Sequence, residues 1–341
     1  MRNKPIYAGL LIAIAVGFVG CKSSDSSSSL GNWVKRSDFD GYARLQATGF
    51  VINGKAYLGT GDDGQQNKMK DFWVYDPKQN AWQQLQDFGG TARSGAVGFA
   101  AGNAGYITTG EDAISNKLKD TWKYDPSANT WTRVADFGGT ARFGAVAFGI
   151  GGKGYVTTGY DGRDLKDFWE YDPTSDQWTS KISMGGSKRV DASVFVMNNT
   201  AYLFGGADNG TLVDDFWAYD ASTDAWTQKR DIANTNDNET YDDKYTTIAR
   251  TYGACFTIGD SAYVVTGANS ATGGSVISNV WQYDPATDLW VERTTFQGAP
   301  RIGAVGFSVD GRGFVVTGGS GGTLVYDDLW EFQPYVENQN D

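Results

Sequence analysis

The sequence predicts an all-β chain folded as a six-bladed β-propeller, with four antiparallel strands per blade and the N-terminal strand completing the last blade. Three observations predict it. Tryptophans recur in pairs nine residues apart (Trp73/Trp82, Trp122/Trp131, Trp169/Trp178, Trp217/Trp226 and Trp281/Trp290), which uses ten of the twelve. The other two, Trp33 and Trp330, stand towards opposite ends of the chain. With 45 Gly, 18 Tyr and 18 Phe against 7 Pro, the composition describes short aromatic strands joined by tight turns. A chain of 341 residues can bury roughly three-quarters of its unfolded surface in one large domain.

The N-terminus comes first. Arg2 and Lys4 precede a charge-free run from Ile6 to Val19 that ends at Gly20-Cys21. This is a signal-peptide layout, and a small residue directly before cysteine resembles a bacterial lipobox, although Phe18 stands where the pattern usually has Leu. Residues 1–20 are expected to be removed and Cys21 to be lipidated, anchoring the protein in the bacterial cell envelope at the outer membrane or cell surface. Residues 21–32, with Ser26 to Ser29 at their centre, are too poor in apolar groups to fold and read as a tether. Losing Arg2 and Lys4 takes the formal charge from −11 to −13, which makes nucleic acid a poor partner.

Each repeat then reads alike. The second Trp of a pair is followed after eleven residues by Arg (Trp82/Arg93, Trp131/Arg142, Trp178/Arg189, Trp290/Arg301), and Trp33/Arg44 keeps the same spacing. Phe follows Arg six residues later in all six copies, at 50, 99, 148, 195, 256 and 307. Asn53-Gly54 and Asp310-Gly311 supply turns between the first two strands. Asp76-Pro77, Asp125-Pro126, Asp172-Pro173 and Asp284-Pro285 supply turns between the third and fourth. The Trp33 segment is therefore the fourth strand of a repeat whose first three strands lie at the C-terminus, a closure that protects a sheet edge. The propeller is placed at 33–334, with a tail at 335–341.

The paired glycines Gly205-Gly206 and Gly318-Gly319, loosened to Thr60-Gly61, Thr109-Gly110, Thr158-Gly159 and Thr266-Gly267, together with the Tyr-Asp and following Trp, make the chain resemble the kelch-repeat family. The resemblance implies arginines at the start of each innermost strand: Arg44, Arg93, Arg142, Arg189, Arg250 and Arg301. In kelch proteins that bind acidic peptides, arginines at this position contact the ligand; in others they brace loops. Here the two readings are a ring at one channel mouth, or a brace against the recurrent Asp71, Asp120, Asp167, Asp215, Asn279 and Asp328. Cys255 aligns with small residues where blades converge and reads as a buried, unreactive thiol.

Function on a repeat scaffold is sought where the repeats disagree. Gln46, Asp191 and Tyr252, each two residues after its arginine, vary and face the channel. Tyr160 lies in a variable loop, and Tyr241 and Tyr245 lie in a 13-residue insertion around Asp231 to Thr247. These residues and the arginines are the candidate ligand contacts. The absence of histidine excludes Ser-His-Asp and His-metal chemistry, including a copper oxidase of the galactose oxidase kind. No metal or cofactor is expected. The favoured reading is an envelope-anchored, non-catalytic binding module for a glycan, an anionic small molecule or a protein partner. The alternatives are a carbohydrate-active enzyme of mutarotase or epimerase type, which the family also contains, and a purely structural envelope component.

Overall fold

A computed structural model describes Met1 and residues 30–233, 245–271 and 274–338. Among the described residues there is no helix, and six four-stranded antiparallel sheets carry the architecture. Blade 1 consists of Thr48–Ile52, Lys55–Gly59, Phe72–Asp76 and Ala81–Gln84. Blades 2 to 5 repeat it, starting at Val97, Val146, Ser193 and Ala254. Blade 6 joins Val305–Val309, Arg312–Val316 and Leu329–Glu337 to the N-terminal Leu30–Lys35. The closing ladder pairs Trp33 with Phe332 and reaches Leu30 opposite Glu337, so it runs a few residues past the 33–334 span read from the repeat.

The ring closes because the first strand of each blade packs against that of the next, blade 6 against blade 1 included. Close approach there requires small side chains. A Cβ on Gly98 would meet the Gly49 carbonyl oxygen at 2.8 Å, and one on Gly306 would meet that of Cys255 at 2.3 Å. The repeated Phe reaches sideways into the next blade. Phe50 lies where a Cβ on Gly105 would be, and Phe256 does the same to Gly313. Sealing the ring in this way buries a continuous aromatic wall without a separate core.

The face carrying the Asp-Pro turns is tied blade to blade. Tyr75, Tyr124, Tyr171, Tyr219 and Tyr283 each donate a hydroxyl hydrogen bond to the Asn or Asp five residues on, at 2.8 to 2.9 Å. Asn80, Asn129 and Asp176 also accept a backbone N–H from the preceding blade. On the opposite face, the stretch after each arginine forms a bridge with the loop between the second and third strands, as in Leu45 with Asp62 and Phe143 with Tyr160. The variable loops and the channel mouth therefore share one face, and the chain enters its first strand at Leu30 from the other.

Candidate functional site

The six arginines begin strands that converge on the channel, yet their side chains do not ring its mouth. All six are fully buried. Arg44 donates two hydrogen bonds to the Asp71 carboxylate at 2.7 and 2.5 Å, one to the Thr60 carbonyl at 2.9 Å and one to the Tyr42 carbonyl at 2.9 Å. Arg93, Arg142 and Arg301 repeat this pattern on Asp120, Asp167 and Asp328, and Arg189 donates to Asp215. Each Asp that takes two bonds from its arginine also accepts the indole N–H of the tryptophan two residues on. Arg44, Arg93, Arg142 and Arg301 lie over the Phe five residues back, 4.9 to 5.0 Å from the ring centroid. A guanidinium that is fully buried, with four of its five donors spent on carboxylate and carbonyls, is withdrawn from any ligand at the mouth. Of the two sequence readings, the structure carries the bracing one. Burial pushes the Asp71, Asp120, Asp167 and Asp328 carboxyls up, but hydrogen bonds and charge from their arginines outweigh it and hold them below the ordinary carboxylate range.

Blade 5 departs from this scheme. Asn279 stands where the carboxylate would be, and Arg250 donates instead to the carbonyls of Thr247, Ile248, Thr266 and Asn279. Among the described residues it has no carboxylate partner, and burial lowers its guanidinium to about 9. The tryptophan that would bind the missing Asp, Trp281, donates to Thr247 Oγ1 at 2.9 Å. Thr247 closes the insertion, so in this blade the end of the insertion does the bracing. Tyr245 belongs to that packing and not to a rim: it is buried, its ring lies 5.8 Å from Trp281, and its hydroxyl accepts the Trp290 N–H at 2.9 Å. Tyr241 and Cys21 lie outside the described residues.

The mouth itself is built from the position two residues after each arginine. Gln46, Gly95, Gly144, Asp191, Tyr252 and Gly303 all adopt left-handed φ values between 53° and 62°. Five successive backbone hydrogen bonds join neighbours around the ring: Gln46 N–H to Gly303, Gly95 to Gln46, Gly144 to Gly95, Asp191 to Gly144 and Tyr252 to Asp191, at 2.8 to 3.1 Å. Glycine takes this conformation without penalty, whereas a residue with a Cβ pays of order 1 kcal/mol. Three blades use glycine and three do not. The three that do not all line one cavity, where Asp191 and Tyr252 lie close enough to shift each other's titration. The Asp191 carboxylate lies across blade 3, where a Cβ on Gly144 would meet its Oδ1 at 2.5 Å. Burial pushes the Asp191 carboxyl up to about 7, opposed by the Tyr252 hydrogen bond and reinforced by the charge of Asp164. Burial and that carboxyl also raise the Tyr252 phenol.

Level with the ring, these side chains and the small residues one position further in line a cavity of about 180 Å³, and below it the channel continues through cavities of about 240 and 300 Å³ walled by the innermost strands. Cys255 lines that lower channel half-buried, with burial pushing its thiol up to about 12, so it is protonated and unreactive at neutral pH. A larger groove of about 630 Å³ leaves the mouth between blades 3 and 4 and shares Asp191 and Tyr252 with it. Tyr160 and Phe143 form one side, with ring centroids 5.6 Å apart. The Val190 and Ala207 backbones, bonded in both directions at 3.0 Å, line it from blade 4. Asp164, Asn209 and Arg163 supply polar groups, and the Asp164 carboxylate accepts the Asn209 N–H at 2.7 Å. The Lys117 ammonium sits 5.8 Å and 5.4 Å from the Phe143 and Tyr160 ring centroids. Sequence reasoning identified Gln46, Asp191, Tyr252 and Tyr160 but passed over Phe143 and Asp164. The available signal for Phe143 was that the residue after the arginine is Leu, Ser, Val, Thr or Ile in the other blades. No group of three or more carboxylate or thiolate residues that could hold a metal ion occurs among the described residues.

Comparison with known proteins agrees with this architecture. None of the curated proteins compared matches the chain in sequence. The solved structure of YjhT superposes with a TM-score of 0.71 over 86% of this chain and 95% of that one, at 16% identity, a likeness of fold. Residues 34–190 match the KLHDC2/KLHL20/DRC7 Kelch-repeats domain, and residues 154–337 match the Attractin/LZTR1 beta-propeller. With two family models covering the ring from end to end and six blades in place, the chain belongs to the kelch-repeat β-propeller family.

Proposed function

We propose that this propeller is a non-catalytic binding module for a neutral sugar, held at the bacterial cell envelope by lipid on Cys21, with its site at the channel mouth. The observation that carries this reading is the Gln46–Tyr252–Asp191 cluster. Three side chains occupy left-handed backbone positions that glycine would fill at no cost, and they line one cavity together. Strain retained at a concave site points to use. An amide, a phenol and a carboxyl offer donors and acceptors suited to hydroxyl groups, and the flanking Tyr160 and Phe143 offer apolar ring surface. An anionic ligand fits poorly, because the arginines that favoured it are buried against carboxylates and the mouth adds an acid of its own. The envelope location draws on the charge-free N-terminal run and Cys21. The first strand enters from the turn face, so the anchor would keep that face near the membrane and turn the mouth outward.

Titration of neutral mono- and disaccharides against the wild type and Asp191→Ala tests this reading. Binding by the wild type that the variant loses supports it, and a wild type blind to every sugar refutes it. A second reading has its own observation: a carboxyl near pH 7 beside a phenol can exchange protons with a bound sugar. Accelerated anomer exchange measured by NMR would turn the binding module into a mutarotase-like enzyme.

A further inference from the structure

We infer that the mouth and the groove form one two-part site that reads the end of a neutral oligosaccharide, with the terminal residue at Asp191 and Tyr252 and the next residue against Tyr160. This rests on the binding reading above and names its substrate class. The two cavities share Asp191 and Tyr252, so whatever fills one abuts the other. The mouth is a dead end for a sugar. Its wall is the left-handed ring, whose backbones are joined through five hydrogen bonds, and the small residues that follow the ring inward close in beneath. Six backbones held at about the 5 Å spacing of paired strands enclose a ring only roughly 10 Å across between Cα atoms, which van der Waals shells and the Gln46, Asp191 and Tyr252 side chains narrow further. A residue seated there cannot continue down the channel, and the groove between blades 3 and 4 gives the chain a way out.

The groove has the anatomy of a second subsite. Tyr160 and Phe143 present aromatic surface on one side, able to lie against the C–H face of a pyranose. Asp164, bridged to Tyr160 in the same loop, together with Arg163 and with Asn209 of the next blade, presents polar groups to hydroxyls. Asp164 is itself buried and fixed by the Asn209 N–H, so the acceptor is held in place before any ligand arrives. At about 630 Å³ against about 180 Å³, the groove is the roomier part. Affinity should therefore rise with the second residue and change little beyond the next.

The test is calorimetric titration of the full chain with mono-, di- and trisaccharides of glucose, galactose, mannose and N-acetylglucosamine. For the sugar that binds, the disaccharide should bind about tenfold more tightly than the monosaccharide. Tyr160→Ala should remove that gain, so that the variant binds the disaccharide no more tightly than it binds the monosaccharide, and Asp191→Ala should remove binding of both. On a polymer of the same sugar, the number of sites should follow the number of chains and not the mass. If monosaccharides bind through Asp191 but length brings no gain, or Tyr160→Ala leaves the gain intact, or sites scale with polymer mass, the two-part site is wrong while the binding module stands. If no sugar binds the wild type, both readings fall together.

Discussion

The brace and the mouth ring lie two residues apart in every repeat, and they behave as opposites. The brace position is arginine in all six blades, and in five of them it faces an aspartate. The ring position is glycine in three blades and Gln46, Asp191 and Tyr252 in the others. The brace ties its buried arginine to a carboxylate and to carbonyls and so fixes the loops that carry the ring, whereas the ring tolerates left-handed side chains and a carboxyl that burial pushes towards neutrality. Repetition in this chain marks what the fold needs, and its interruption marks what the fold could do without.

Breaking the brace should have the largest effect. Arg93→Ala leaves Asp120 without its guanidinium, and removing one partner of such a pair costs about 3–5 kcal/mol. The loss will be seen as a lower denaturant midpoint. The brace also sets the acid limit. Because Asp71, Asp120, Asp167 and Asp328 are held below the ordinary range, their contribution is complete above about pH 4 and is lost as pH falls through their folded values. Cooperative acid unfolding below pH 4 that shifts upward in Asp328→Asn would show it.

Asn279→Asp tests the comparison from the other side, by completing the sixth brace. Supplying a carboxylate to Arg250, which now bonds only carbonyls among the described residues, should stabilise the fold by about 1 kcal/mol once the new side chain turns from Glu292, to which the Asn279 amide now donates, towards the guanidinium. The gain should disappear below about pH 4, where the new acid protonates.

How much of this was legible in the sequence depended on repetition. Trp33 and Arg44 at the spacing of complete blades were enough to place the closing strand, because a repeat that lacks one strand must find it at the other terminus. Gln46, Asp191 and Tyr252 stood out because five other copies defined their position. What the sequence could not show was direction. The arginines were as compatible with a mouth as with a brace, since spacing places the start of the strand and says nothing of which way a long side chain turns. Tyr245 misled for a related reason. An insertion looks like added surface, but this one ends in Tyr245 and Thr247, which pack on Trp281 and take over the missing carboxylate's bonds. Phe143 was hidden because a single aromatic on a strand looks like core.

A smaller effect separates the two positions by pH. The Asp191 carboxyl is raised in the folded state, so folding stability falls as pH rises from about 4 to about 7 and is level above that. The stability of Asp191→Asn relative to wild type should therefore rise between pH 4 and pH 8. Melting curves at the two pH values will read the difference, which is opposite in sign to that of any brace aspartate.

The most direct measurement of the central claim joins stability and binding in one variant. Gln46, Asp191 and Tyr252 are changed together to glycine, which gives the mouth the same residue in every blade. The account predicts a propeller that melts within about 1 kcal/mol of wild type, since lost left-handed strain offsets the entropy glycine adds to the unfolded chain, and that no longer binds sugar. A variant that unfolds, or one that folds and still binds the sugar as the wild type does, would contradict it.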